Sequence, residues 1–316
     1  MATTGLNRLR LARAGVGVAG AGRTGVRRSP NRGAFTLLVL IAPSVLLLVL
    51  INAYPLVYGA IQSIHRGTLI TTGPLVGLEN YTDVLADPRF WKATVFTLVF
   101  TLVGVFGSWV IGLTLALLLR TKVPGGPVFK VLLMTPWVVP IVVSSTAWNW
   151  LVAAPDSPLP TLTRWLGFGD ALFLADPTLA AITVCVFKVW VSFPFMMLMT
   201  SAALASVDEG VYEAASIDGA GSRQKFTHIT LPLISRSTYI SWILMTIFCV
   251  NDFPTIYLLT GGGPVDSTTS LIVLAYRTVF QDFQTGPGVA IAFIMTIALV
   301  AVSTVLYRQI RKVEIA

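Results

Sequence analysis

Two ionisable residues stand inside apolar runs long enough to be membrane spans: Lys188 in FKVWVSFPF and Asp252 in NDFPTIY. A charge in the hydrocarbon interior is costly, so each marks a functional site by default. Lys188, Val191, Ser192 and Phe195 fall at i, i+3, i+4 and i+7, one face of a helix, and Asn251 and Asp252 lie at the corresponding end of the next span. At ~1.5 Å per residue, Lys188 lies roughly 13 Å and Asp252 roughly 10 Å below the outer boundary. Polar groups beside aromatic rings on one helix face are what a wet path for a polar solute requires. An ion pair at that path is the expectation; the alternative has Lys188 snorkelling outward alone while Asp252 faces water. Phe195, Trp190 and Phe193 also read as helix packing, and Ser192 as a back-bond to helix carbonyls.

A second stretch, EAASIDGAGSRQKFTHITLPLI from Glu213 to Ile234, is polar and Gly-punctuated between two apolar segments. Val211 to Ala215 read as a helix that Asp208 can cap. Gly219 and Gly221 supply turn freedom, and Arg223 to Ile229 begin a second helix that Pro232 interrupts or kinks. Such an elbow offers a partly apolar knob of Ala214, Ala215, Ile217 and Ala220, suited to docking into a groove.

These segments need a membrane scaffold, and composition supplies one. The 316 residues are 55% apolar and 11% charged with net charge +8, and mean hydropathy is +0.79, outside the soluble globular range. Six runs can cross as helices: about 35–62, 93–119, 128–153, 179–204, 237–259 and 287–307. The expected fold class is therefore an all-α integral membrane protein, with a basic N-terminal tail over 1–34, a six-span domain over 35–312 and a short C-terminal tail over 313–316. The elbow occupies about 206–235, between spans four and five.

Basic residues in short loops set orientation. Arg8, Arg10, Arg13, Arg23, Arg27, Arg28 and Arg32 precede the first span. Arg120, Lys122 and Lys130 flank the second loop, Arg223, Lys225 and Arg236 the fourth, and Arg308, Arg311 and Lys312 follow the last span. Those account for 16 of the 22 Lys and Arg. The alternate loops hold Arg66, Arg89, Lys92, Arg164 and Arg277. Both termini and the elbow are thus expected in the cytoplasm of a cell with this chain in its plasma membrane. The basic tail reads as topology and attraction to anionic lipid, with no nucleic-acid partner. The run from Phe35 is too long for a signal peptide, so the tail is expected to be retained. Cys185 and Cys249 lie in spans and read as small core residues, with no metal site implied.

GLENYTDVLADPRFWKAT, after the first span, can form a short interfacial helix on Leu78, Tyr81 and Leu85, with Phe90 and Trp91 as belt residues. Trp148, Asn149 and Trp150 read as another belt. PDSPLPTLTRWLGFGD is Pro-rich and expected to be irregular.

Glu213-Ala214-Ala215, Asp218-Gly219-Ala220-Gly221, Ile229 and Leu231-Pro232 resemble the EAA loop of permease subunits in bacterial ABC importers. LLTGGGP at Leu258 to Pro264, with NDFPTIY before it and AYRTVFQDF after it, resembles the carbohydrate-importer, maltose-type branch. The resemblance runs from about Phe35 to Lys312. It implies a six-helix permease paired with a homologous second permease, above two copies of a cytoplasmic ATPase that bind ATP and Mg, with an extracytoplasmic solute-binding protein delivering a sugar or related polyol. The EAA residues would couple to the ATPase. Positions matching Val191, Ser192, Phe195 and Asn251 lie near the transported sugar in that family. No G-x-x-x-x-G-K-[ST] occurs, so the chain lacks a phosphate-cradling loop and is not expected to be an enzyme or to hold a cofactor itself. The rival readings are a secondary transporter driven by ions, a glycerol phosphate permease of the same importer class, and a non-transporting scaffold.

Overall fold

The computed structural model describes residues 30–121 and 124–315. Arg8, Arg10, Arg13, Arg23, Arg27, Arg28 and Lys122 lie outside the described residues, as do the side chains of Arg32, Arg311 and Lys312 and the C-terminal tail's side chains. The chain divides into two units, one ending at Pro55 and one beginning at Leu56. The first holds helix α1 (Pro30–Ser63) as far as Pro55, with Pro43 inside it.

The second unit holds the end of α1 and then α2 (Glu79–Ala86), α3 (Pro88–Leu118), α4 (Gly126–Val138), α5 (Ile141–Val152), α6 (Pro158–Trp165), α7 (Pro177–Ala205), α8 (Glu209–Ile217), α9 (Ser222–Lys225), α10 (Leu231–Val250), α11 (Phe253–Thr260), α12 (Leu271–Phe280) and α13 (Thr285–Ile315). Five helical stretches among the described residues are long and apolar enough to cross a membrane: Phe35–Ser63, Pro88–Leu118, Pro177–Ala205, Ser222–Val250 and Thr285–Ile310. The all-α, multi-span class stands.

Two expected spans are broken. The run over 128–153 splits into α4 and α5, bent by 91°. Val139 and Pro140 are extended, with ψ of 133° at both, because proline disfavours helix in the residue before it and gives no N–H. The run over 237–259 stops at Val250. Asp252 leaves helical geometry (φ −82°, ψ 84°) and caps α11 instead, accepting from the Thr255 amide. Pro254 falls in the first turn of α11, where its missing N–H costs nothing. The two half-helices, α5 and α11, pack on each other, and Asn149 Nδ2 reaches the Leu259 carbonyl at 3.4 Å.

The tightest pairing is α3 with α7. Gly104, Ser108 and Gly112 recur every fourth residue on α3 and let the backbones approach, as small residues do between spans. A Cβ on Gly112 would stand 2.6 Å from the Met197 amide nitrogen, and one on Gly104 would stand 2.8 Å from Cys249 Sγ. Around this seam Phe100, Phe187, Met196, Met245 and Ile256 form the central core. Leu113, Met197, Leu204 and Ile234 fill the layer toward the elbow, and Phe90, Leu271, Ala290 and Ile291 fill the opposite end. Cys185 and Cys249 are free and buried, as small core residues.

The short helix expected after the first span forms as α2, with Leu78 at its N-cap and Leu85 on it both exposed, and it is held by Asn80, fully buried, which donates to the Ser63 and His65 carbonyls at 2.8 and 3.0 Å. The end of α1 leaves carbonyls that need donors, and Asn80 supplies them. Trp148 is not a belt residue: it packs 5.2 Å from Phe187 and 5.6 Å from Trp190, while Trp150 is exposed. The Pro-rich loop contains the short helix α6, with Pro158 in its first turn.

Candidate functional site

Lys188 on α7 donates from Nζ to Asp252 Oδ2 at 2.7 Å, and both side chains are buried, at 7% and 8% exposed. Asp252 Oδ2 also accepts from Thr255 Oγ1 at 2.8 Å, and Oδ1 from the Thr255 amide at 3.1 Å. The carboxylate therefore has three donors, the condition under which a buried pair offsets its desolvation. Lys188 Nζ lies 5.9 Å from the Phe100 ring centroid, and its stem crowds the Cβ position of Gly104. The ammonium sits where α10 ends, the negative end of a helix dipole.

The helix face expected over Lys188, Val191, Ser192 and Phe195 divides. Lys188 and Ser192 turn into the bundle, and Ser192 Oγ makes no back-bond or other hydrogen bond. Val191 and Phe195 are half-buried, and Asn251 is exposed, its Nδ2 donating to the Ile247 carbonyl. Phe195 stacks on Trp137 of α4, with centroids 5.1 Å apart and planes at 27°, and meets Phe248 of α10 edge-on at 5.7 Å. Trp137 and Phe248 are 42% and 43% exposed. Three helices thus contribute one partly open aromatic surface, and Asn251 follows Phe248 by three residues at the C-cap of α10. Sequence reasoning passed over Trp137 and Phe248. Their signals were weak: Trp137 precedes the Pro140 break, and Phe248 is one turn before Asn251.

The elbow forms as a helix pair. Asp208 caps α8 through the Gly210 amide at 2.9 Å. Gly219 takes φ +80°, and the Ala220 amide returns to the Ala215 carbonyl at 2.9 Å, closing the helix end. Lys225 Nζ then ties the second helix to Ser216 Oγ at 2.6 Å. Glu213, Ala214, Asp218, Gly219, Gly221 and Pro232 are exposed, while Ala215, Ala220, Ile229 and Leu231 are half-buried. The knob is therefore carried less by its alanines than by Ile217, 87% exposed. Beside it lies a cavity of about 300 Å³ lined by Asp218, Gly219, Ala220, Gln224, His228 and Ile229.

Pro232 does not break the second helix, which runs unbroken from Ser222 to Val250. A π turn over Phe226–Thr230 lies just before it. Widening the coil there relieves the clash between the proline ring and the carbonyl of residue 228.

Near LLTGGGP, Gly261 (φ +61°) ends α11 and Gly262 (φ +95°) leaves no room for a Cβ, which would meet Thr269 Oγ1 at 2.6 Å. Arg277 locks the loop by donating to Asp266 Oδ1 and to the Gly261 carbonyl.

The described residues form a multi-span helical bundle with two interrupted spans and an exposed helical elbow between its fourth and fifth hydrophobic segments. The chain belongs to the family described as binding-protein-dependent transport system inner membrane component, whose model matches residues 108–314. It is 34% identical over 250 residues to the trehalose/maltose transport system permease protein MalF of Thermococcus litoralis, covering 78% of this chain and 84% of the relative. It is 33% identical to the sulfoquinovosyl glycerol transport system permease protein SmoG of Agrobacterium fabrum, covering 86% and 89%. The solved structure of a bacterial ABC transporter involved in the import of the acidic polysaccharide alginate has the same fold, with a TM-score of 0.77 at 17% identity over 89% of this chain and 96% of that one.

Proposed function

We propose that this chain is one of two permease subunits of an ATP-driven importer that carries a sugar, or a related polyol, into the cytoplasm. The carrying observation is the partly open aromatic surface of Trp137, Phe195 and Phe248, on the α10 segment that ends three residues later at the exposed Asn251. The C–H faces of a sugar ring pack on aromatic rings, and its hydroxyls exchange hydrogen bonds with an amide. Relatives named as sugar permeases support the same reading. The elbow, from Glu213 through Pro232, docks onto a cytoplasmic ATPase present in two copies; ATP and Mg belong to that partner, and this chain hydrolyses nothing. A solute-binding protein delivers the sugar from outside.

This orientation, with both termini cytoplasmic, follows the basic-residue asymmetry. A cysteine at Ile70, 94% exposed, should label from outside intact cells, and one at Ile217 should not; labelling at 217 reverses the orientation and removes the docking assignment. The function itself is tested with the assembled complex in proteoliposomes. Loaded binding protein should stimulate ATP hydrolysis with a sugar as ligand, and stimulation by amino acids or peptides instead would sink the carbohydrate assignment.

A further inference from the structure

We propose that α6 and the turn after it lie in the lipid interface at the end of the bundle remote from the elbow, with Trp165 and Phe168 set among acyl chains, so that the loop between α5 and α7 is a membrane anchor.

Leu162, Trp165 and Leu166 fall at i, i+3 and i+4, one face of α6, and all three are exposed. The protein covers a different face of the helix, with Pro160 buried and Thr163 half-buried where α6 packs on α5. A helix on a water-soluble surface turns its apolar stripe inward; α6 turns it out. The stripe also outlasts the helix. Gly167 takes φ +83°, its amide donates to the Arg164 carbonyl at 3.0 Å and the Phe168 amide donates to the Thr163 carbonyl at 2.9 Å, a closure that sets Phe168 by backbone hydrogen bonds. Trp165 and Phe168 are 80% and 79% exposed, and a patch of this kind marks a contact surface.

Its place in the chain says which contact. Helix α7 begins at Pro177 and runs 29 residues, roughly 43 Å along its axis. It therefore crosses the whole ~30 Å hydrocarbon core and leaves the α6 loop at the boundary opposite the elbow. Exposed apolar side chains continue onto both flanking helices, Trp150 on α5 and Ile182 and Val186 on α7. Trp, Phe and Leu are the residues of interfacial helices, and an indole N–H can reach headgroup oxygens while its ring stays among chains. The cation of the helix is engaged within the loop: Arg164 donates from Nε to Asp170 Oδ1 at 2.7 Å and from Nη2 to the Pro155 carbonyl at 3.1 Å. A soluble protein that docks and leaves meets its partner through mixed polar and apolar surface. This stripe is a poorer match for that than for lipid.

The test uses the complete complex in proteoliposomes, with a polarity-sensitive fluorophore on Phe168→Cys, on Trp165→Cys, or on Asp156→Cys, an exposed polar position of the same loop. Cys185 and Cys249 are buried and stay unlabelled. Phosphatidylcholine with a nitroxide near the top of its acyl chain should quench the first two labels about two-fold more than the third. Iodide in the water should quench in the reverse order. With the label moved to Leu162→Cys, the pair Trp165→Glu and Phe168→Glu should bring lipid quenching down to the level at position 156. Should that variant fail to assemble, Phe168→Glu alone, outside the helix, should lower the quenching part of the way. Strong iodide quenching with little lipid quenching at 165 and 168 overturns the proposal. Protection from iodide that arises only when loaded binding protein is added, again with little lipid quenching, overturns it in favour of a protein-docking surface.

Discussion

The guanidinium of Arg120 lies 4.4 Å from the ring centroid of Tyr212, so the chain two residues past the end of α3 rests on the first helix of the elbow. The Tyr212 hydroxyl in turn meets Thr230 Oγ1 at 3.1 Å, inside the π turn that leads into α10. One side chain thus touches both ends of the segment through which a docking partner would move α10. An exposed cation–π contact contributes only ~0.5–1 kcal/mol. Tyr212→Ala should therefore leave folding intact and loosen coupling, measured as more ATP hydrolysed per solute imported. Tyr212→Phe keeps the ring and should fall between the two.

Ile217 projects from the elbow with no cover in this chain. Ile217→Asp costs the isolated chain little, since nothing packs there, but places a charge in an apolar contact with the partner. Insertion and melting temperature should stay at wild-type values while ATPase stimulation is lost. Unchanged stimulation would move the docking contact elsewhere on the elbow. Ala215→Trp, half-buried against the Ala220 turn, should also uncouple, with a lowered melting temperature.

Removing one member of the Lys188–Asp252 pair leaves a buried charge alone, a loss of about 3–5 kcal/mol. Lys188→Met and Asp252→Asn should each reduce assembled complex on gel filtration, and the double variant should recover assembly more than it recovers transport. Independent, additive losses would show that the two residues do not stabilise each other.

The α3–α7 seam has no space at Gly112, where a methyl group would stand 2.6 Å from the Met197 backbone. Gly112→Ala should cost about 1–3 kcal/mol as overpacking and lower the melting temperature of the purified complex. Gly126→Ala, with nothing within 4 Å of its Cβ position, is the matched control.

Trp137→Ala and Phe248→Ala open the aromatic surface without touching the buried pair. Each should weaken the response to sugar by roughly 0.5–1.5 kcal/mol, a few-fold in the concentration giving half-maximal stimulation. Trp137→Phe should lie close to wild type.

The spans, the elbow and the two intramembrane charges were legible in the sequence because each is written in local composition. Twenty apolar residues need no partner to declare a span, and Asp208, Gly219 and the helix between them specify their own geometry through backbone hydrogen bonds only a few residues apart. The tertiary structure decided what depends on residues distant in the chain. Pro140 and Asp252 interrupt spans that looked continuous, because the freed polar groups can be satisfied inside the bundle, Asp252 by Lys188 64 positions away. Whether Lys188 faces solute or core was undetermined by its helical register, since that register fixes its neighbours on one helix and not which other helices cover them. The aromatic surface drew Trp137, Phe195 and Phe248 from three helices, and no spacing along the chain announces such a meeting.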